Sequence, residues 1–347
     1  MIWCPTCGSG DCIKPATELL SSATSMYTPC TVCVSDQPLD KLIPLREMGL
    51  TFSADAGLCR ACGRRHMDMV MAQVLDILID SGLKSTACAL KDVGTPLISC
   101  GLELMAPPRL GGKELLVVLD NVDRQAAERI MAEVPEIKGV LKRHGGPRKS
   151  VGLLDTCEQP HLYELLAGCD VRADVLNSLI GDLCFYRRQS LMHIEFWRNN
   201  SVKIKILEKM FLDGDIAGKV VVDGMASAGT LGLLAAEAGA KKVILNDAWL
   251  PAVESMILNI EANKELLDVT LEPVAPLQSQ PLIGDEPVLI ARASGSVELE
   301  VYHGDIRKLA PVVKSCDICI IDPFPGMSAA EFVQCWSGVV KGKIVTL

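Results

Sequence analysis

In the last third of the chain, short apolar runs alternate with stretches in which apolar positions recur at helical spacing. Residues 220–223 (VVVD) form a β-branched run that ends on Asp223. A small-residue turn, residues 224–229, and an Ala/Leu-rich segment follow, and a second run at 242–246 ends on Asp247. The pattern predicts strand, turn, helix, strand, a βαβ unit with a carboxylate at the C-terminal end of each strand. Residues 297–303 (VELEVYH) predict a third strand followed by Gly304-Asp305, and residues 316–321 (CDICII) a fourth that ends in Asp322-Pro323-Phe324-Pro325-Gly326. Residues 329–339 read as a helix and residues 343–347 as the start of a fifth strand. Strands that alternate with helices predict a doubly wound, parallel, Rossmann-like α/β domain.

Ligands of open α/β sheets bind at the C-terminal ends of the strands, and an acid about 20 residues beyond a small-residue turn is placed to hold a ribose. A dinucleotide-binding turn requires GxGxxG, but here the three positions are Gly224, Ala226 and Gly229, so the middle glycine that admits a pyrophosphate is missing. Asp223 would also repel a pyrophosphate. A cofactor with a cationic centre and no phosphate suits the turn, which selects S-adenosylmethionine. The expected cofactor-binding residues are Asp223, Met225, Ala226, Ser227, Gly229, Asp247 and Asp305, the last placed to meet the adenine amine. The alternative is a plain crossover without a ligand.

The tetrad that begins Asp322-Pro323-Phe324, together with ASAGTLGL (226–233) and VILNDAWLPAVESMILNIEAN (243–263), resembles the tRNA guanosine N2-methyltransferase (dimethylguanosine) family. The resemblance covers residues 185–347. It departs from that family at Pro325, where the family tends to have glycine, and in the amino-terminal part. It implies an adenosylmethionine-dependent N-methyltransferase with Asp322, Pro323 and Phe324 as the catalytic residues. The Asp322 carboxylate and the Pro323 carbonyl would accept the two hydrogens of an exocyclic amine, and Phe324 would stack on the flipped base. A carbon-5 pyrimidine methyltransferase would need a cysteine nucleophile next to a proline. Cys316 and Cys319 instead lie inside the predicted strand, as core residues do.

Seven of the 15 cysteines precede residue 63, and six of them form CxxC pairs: Cys4/Cys7, Cys30/Cys33 and Cys59/Cys62. The first and third continue into glycine, the zinc-knuckle pattern, in which two thiolates grip one ion. These six are the expected metal ligands, for one or two structural zinc ions; Cys12 and His66 would bring the ligands to eight, although His66 reads more readily as an ordinary helix residue. Disulfides are the competing reading. Without a signal peptide or a membrane-length apolar run, a reducing, cytoplasmic setting and metal are expected.

The chain carries 49% hydrophobic and 22% charged residues over 347 positions, enough for two or three cored domains. Its formal net charge of −9 argues against a protein that simply coats nucleic acid. Residues 137–150 nonetheless include Lys138, Lys142, Arg143, Arg148 and Lys149 with no acid, a candidate RNA-backbone contact, whereas a solvated loop would look the same. Arg187, Arg188 and Arg198 lead into a helix predicted at 202–211; the resemblance implies that an arginine here can touch the cofactor carboxylate or RNA phosphates, but each reads more readily as an ordinary surface arginine.

Three parts follow. Residues 1–82 form a cysteine-rich zinc module that closes with a helix at 66–79. Residues 83–184 form a small α+β domain (strand, helix, strand at 114–142, then helix at 160–183) expected to recruit substrate. Residues 185–347 form the methyltransferase domain. A Pro-rich stretch at 273–287 reads as a mobile loop. The fold normally runs to a sixth and seventh strand, so the chain is expected either to be a fragment or to complete its sheet from another segment.

The preferred function is N-methylation of an exocyclic base amine in RNA, with tRNA as the expected partner and no membrane. A protein side chain or small cofactor as acceptor is the first alternative, and a zinc-dependent binding protein with an inactive methyltransferase domain the second. Oligomeric state is not legible.

Overall fold

The computed structural model describes residues 2–33, 39–144, 161–192, 197–323 and 327–347, with backbone alone for 197–201. Phe324, Pro325, Gly326, Arg148 and Lys149 lie outside the described residues, as does the Arg198 side chain.

The amino-terminal half contains α1 (Ala16–Met26), β1 (Arg65–His66), α2 (Met67–Asp80), β2 (Thr95–Ile98), β3 (Cys100–Gly101), β4 (Arg109–Leu110), β5 (Leu115–Leu119), α3 (Arg124–Glu133) and β6 (Ile137–Lys142). It ends with β7 (Glu164–Gly168), β8 (Val171–Asn177) and β9 (Asp182–Arg188). β5, α3 and β6 form the expected βαβ unit, with Asp123 capping α3 by accepting from the Ala126 N–H. The sheet order is β2-β5-β6-β7, with a second sheet β3-β8-β9 beside it. Residues 161–183 are not the helix expected from the sequence over 160–183. Residues 161–163 carry no helix and β7 and β8 follow. Val171, Ala173, Val175 and Leu176 are all buried, so no clean period of two distinguishes the segment from a helix. One hydrophobic cluster joins Leu19 of α1, Leu75 of α2, Val117 of β5 and Val171 of β8, so the cysteine-rich module and the middle sheets share a core.

The second half contains α4 (Trp197–Leu212), β10 (Val220–Asp223), α5 (Thr230–Glu237), β11 (Lys242–Asp247), α6 (Leu250–Leu267), β12 (Val269–Pro273), β13 (Val288–Gly295), β14 (Glu298–His303), α7 (Ile306–Val313), β15 (Cys316–Ile321), α8 (Ala330–Trp336) and β16 (Val340–Thr346). The sheet order is β12-β13-β14-β11-β10-β15-β16, with β14, β11, β10, β15 and β16 parallel. Numbered along the chain, these five run 3-2-1-4-5, the order of a doubly wound Rossmann-like sheet. The reversal of direction falls between β10 and β15. β12 and β13 form an antiparallel hairpin on the β14 edge that the sequence pattern did not reveal. The Pro-rich stretch between them is tied down: Gly284 N donates to Ala248 O (2.7 Å), Leu250 N to Leu282 O (3.0 Å) and Asp305 N to Asp285 O (3.0 Å). No helix among the described residues is long and apolar enough to cross a membrane.

Two asparagines of α6 join the halves. Asn259 accepts from Tyr186 N (2.6 Å) and donates to Tyr186 O (3.0 Å), and Asn263 accepts from Cys184 N (3.0 Å) and donates to Cys184 O (2.7 Å). Four residues of helix advance about 6 Å and two of strand about 7 Å, so both amides meet the outer edge of β9 as a neighbouring strand would. Arg187 on the same strand is buried and paired with Asp174 at 2.9 Å, and Arg188 lies 3.6 Å from Glu254. For Arg187 both readings, an ordinary surface arginine and a cofactor or phosphate contact, therefore give way to a buried internal ion pair.

Candidate functional site

Three carboxylates gather where three adjacent parallel strands end. Asp223 closes β10, Asp247 closes β11, and Asp322 follows β15 directly. In the ladders Asp223 is level with Leu245 on one side and Ile320 on the other, so Asp247 and Asp322 each project two residues beyond it.

Asp223 is 0% exposed. Its Oδ2 accepts from Gly232 N at the start of α5 (2.8 Å), while its Oδ1 is buried with no hydrogen-bond partner. Burial, and then the charge of Asp322, raise its pKa to about 7. Asp247 accepts from Ser227 N on Oδ2 and from Trp249 N on Oδ1, each at 2.9 Å. Desolvation raises its pKa to about 6 against the pull of those N–H groups. Residues 224–229 are thus held between strands: Gly224 N donates to Ile320 O (3.0 Å), Ala226 N to Asn246 O (2.9 Å), and Asn259 donates to Ala228 O (2.8 Å). The loop enters α5 through Gly229 at φ +86°, a conformation that L side chains avoid.

Asn246 is a further candidate site residue to which sequence reasoning gave no role, although it stands in the quoted VILND. Its Nδ2 donates to Gly224 O and Gly304 O (both 3.0 Å), bridging two strand-end loops, and its buried Oδ1 has no hydrogen-bond partner. Lys203 of α4 was also missed: its Nζ lies 2.5 Å from Asp322 Oδ2. No sequence signal marks that lysine, because the pair spans 119 positions. Pro323 sits beside Asp322, half-buried.

Asp305 stands at the same sheet end, since Gly304 N donates to Asp247 O (3.1 Å), but its carboxylate caps α7 and is forked by Arg307. Burial works to raise its pKa, yet Arg307 outweighs it and holds the carboxyl below the ordinary aspartate value. An adenine amine would have to share this carboxylate with Arg307. Cys316 and Cys319 are buried in β15, as expected of core residues, and burial pushes the Cys316 thiol up to about 11.

The cysteines form two groups of four thiols, each group lying within 4.8 Å of one another: Cys30, Cys33, Cys59 and Cys62, and Cys4, Cys7, Cys12 and Cys169. The second and third CxxC pairs meet, and the first joins Cys12 and Cys169. His66 belongs to neither group. It caps α2, its Nδ1 accepting from Asp68 N (3.0 Å).

Within the basic stretch, Lys138 is buried with its Nζ on Val171 O (2.6 Å), and Arg143 forks Asp120 (2.6 and 3.0 Å). Of the five expected phosphate contacts, Lys138 is therefore engaged inside the protein, whereas Arg143 is paired at the surface with the exposed Asp120.

The raised carboxyls set a pH dependence. A ribose hydroxyl or a nearby cation favours the ionised carboxylate, so binding lowers both pKa values and releases protons. Affinity for adenosylmethionine should rise between about pH 5 and about pH 7 and level off above that. Calorimetry near pH 6 in two buffers of different ionisation heat should report proton release; proton uptake, or affinity that falls with pH, contradicts it. Stability without ligand has the opposite trend. With native pKa values above the unfolded one, the contribution of these two groups is complete below about pH 4 and is lost as pH rises through 6 and 7.

No protein-family model matches the sequence, and no curated protein does. Among solved structures, the chain is similar to Trm1 from Pyrococcus horikoshii in complex with S-adenosyl-L-methionine (19% identity over 50% of this chain and 42% of that one, TM-score 0.38). It is also similar to the M. jannaschii tRNA m1G37 methyltransferase (18%, 79% and 62%, TM-score 0.40) and to P. horikoshii TYW2 in complex with MeSAdo (18%, 79% and 78%, TM-score 0.41). The chain spans less than two thirds of the length of the first two.

Proposed function

We propose that the chain is an S-adenosylmethionine-dependent N-methyltransferase acting on an exocyclic base amine of RNA, with tRNA as the expected substrate. The observation that carries the cofactor assignment is the pairing of Asp247, bonded to the 224–229 loop, with a buried Asp223 whose Oδ1 has no hydrogen-bond partner. These residues suit a ribose diol and a cation and offer nothing to a pyrophosphate. When bound, the cofactor supplies an electrophilic methyl group on a sulfonium. Asp247 would hold the ribose hydroxyls and keep the loop closed through Ser227. Asp322, steadied by Lys203, would accept one amine hydrogen and the Pro323 carbonyl the other, aiming the nitrogen lone pair at the methyl.

Four thiols at Cys30, Cys33, Cys59 and Cys62 fit a closed structural zinc site with no position left for a substrate water. Internal engagement of Lys138 favours a second reading, a methyltransferase for a protein side chain or small molecule. The deciding experiment incubates the full chain with methyl-labelled adenosylmethionine and either total RNA or total protein, then identifies the labelled product. A methylated base amine supports the proposal. A labelled protein selects the second reading, and no cofactor binding by folded protein rejects both.

A further inference from the structure

The group Cys4, Cys7, Cys12 and Cys169 draws its ligands from places far apart in the chain. Cys169 lies 157 residues from Cys12, in the turn between β7 and β8, and belongs to no CxxC pair. Its Sγ is 3.5 Å from that of Cys4 and 3.8 Å from that of Cys12, and Cys7 and Cys12 are 3.4 Å apart. Zinc–sulfur bonds of 2.3 Å in a tetrahedron place the sulfurs about 3.8 Å apart, which is the scale of these separations. The local backbone repeats that of the other group. Gly8 N donates to Cys4 O (3.0 Å) with φ +68°, as Gly63 N donates to Cys59 O (2.9 Å) with φ +67°.

The surroundings hold both sides of this group in register. Thr6, inside the first knuckle, donates to Asp170 Oδ1 at 2.6 Å. Asp170 is fully buried and also accepts from Ser190 N (3.0 Å). Cys169 N donates to Lys138 O (2.9 Å), which fixes the turn on β6. Beyond Cys12 the chain is held again: Lys14 N donates to the Tyr186 hydroxyl (3.0 Å), which donates back to Lys14 O (3.1 Å), and Thr17 of α1 donates to Glu265 of α6 (2.8 Å).

We propose that Cys4, Cys7, Cys12 and Cys169 bind a zinc ion of their own, which staples the amino-terminal segment to the middle sheets and thereby seats α1 between them and α6. Four thiolates close the coordination sphere, so the role is structural. Each thiol gives up its proton when the metal binds. The staple does not depend on methyl transfer.

The test is metal content of the full chain purified anaerobically, with hydrogen exchange over residues 2–15 as a second readout. Wild type should carry two zinc ions per chain. Cys169→Ala should carry one, with at least about tenfold faster exchange over residues 2–15 and the Cys30 group still loaded. Because Cys169→Ala could unfold, wild-type protein reconstituted with cadmium gives an independent reading: two cadmium-113 resonances in the tetrathiolate region are expected. One zinc and one resonance in wild type, two zinc ions retained by Cys169→Ala, or a disulfide among these four in anaerobic protein would each overturn the staple.

Discussion

Asp322→Ala should lower turnover by at least about 100-fold while leaving adenosylmethionine affinity within about threefold of wild type, because misplacing a reacting group by about 1 Å already costs that much. The asymmetry follows from position. Asp322 lies beyond β15 and pairs with Lys203, whereas the 224–229 loop, proposed to face the cofactor, is bonded to Asp247 and Asn246. A second readout separates this from general damage. Asp322 is the main charge that raises the Asp223 pKa, so its removal should move the pH profile of cofactor binding to lower pH. Equal losses in turnover and cofactor affinity, or wild-type turnover, would remove Asp322 from the acceptor role.

Asp247→Ala should weaken adenosylmethionine binding by about 1–3 kcal/mol, the scale of hydrogen bonds to a charged group. The carboxylate also accepts from Ser227 N and Trp249 N, so its removal takes one bond from the 224–229 loop and one from the start of α6. Asp247→Asn keeps one acceptor oxygen and should recover part of the loss. Calorimetry on both variants, with thermal unfolding as a control, checks this; unchanged affinity in folded Asp247→Ala protein would place the ribose elsewhere.

The site was legible in the sequence where local pattern and chemistry coincide. β10 and β11 are short apolar runs separated by an Ala/Leu-rich helix, and each strand ends on an acid, so Asp223 and Asp247 stand out. The hairpin β12–β13 did not, because its strands flank a Pro-rich stretch and carry exposed polar residues such as Glu272 and Arg292. Cys169 stands alone in its neighbourhood, and only the fold brings it to Cys12. Lys138 illustrates the limit of charge counting: a basic run shows that cations are present, but whether they face a phosphate, as Lys142 still could, or an internal carbonyl, as Lys138 does, is decided by packing.

The asparagine pair on α6 bears on solubility. An uncovered strand edge is a template on which another chain can add a strand and start aggregation. β9 is such an edge, and Asn259 and Asn263 already occupy the peptide groups of Tyr186 and Cys184 that an intruding strand would seek. That protection is supplied by the other half of the molecule, so it exists only while α6 is docked. The amino-terminal half, cut away from α6, would lose Ala262 from its apolar core and present an unguarded edge, and would be prone to associate with itself.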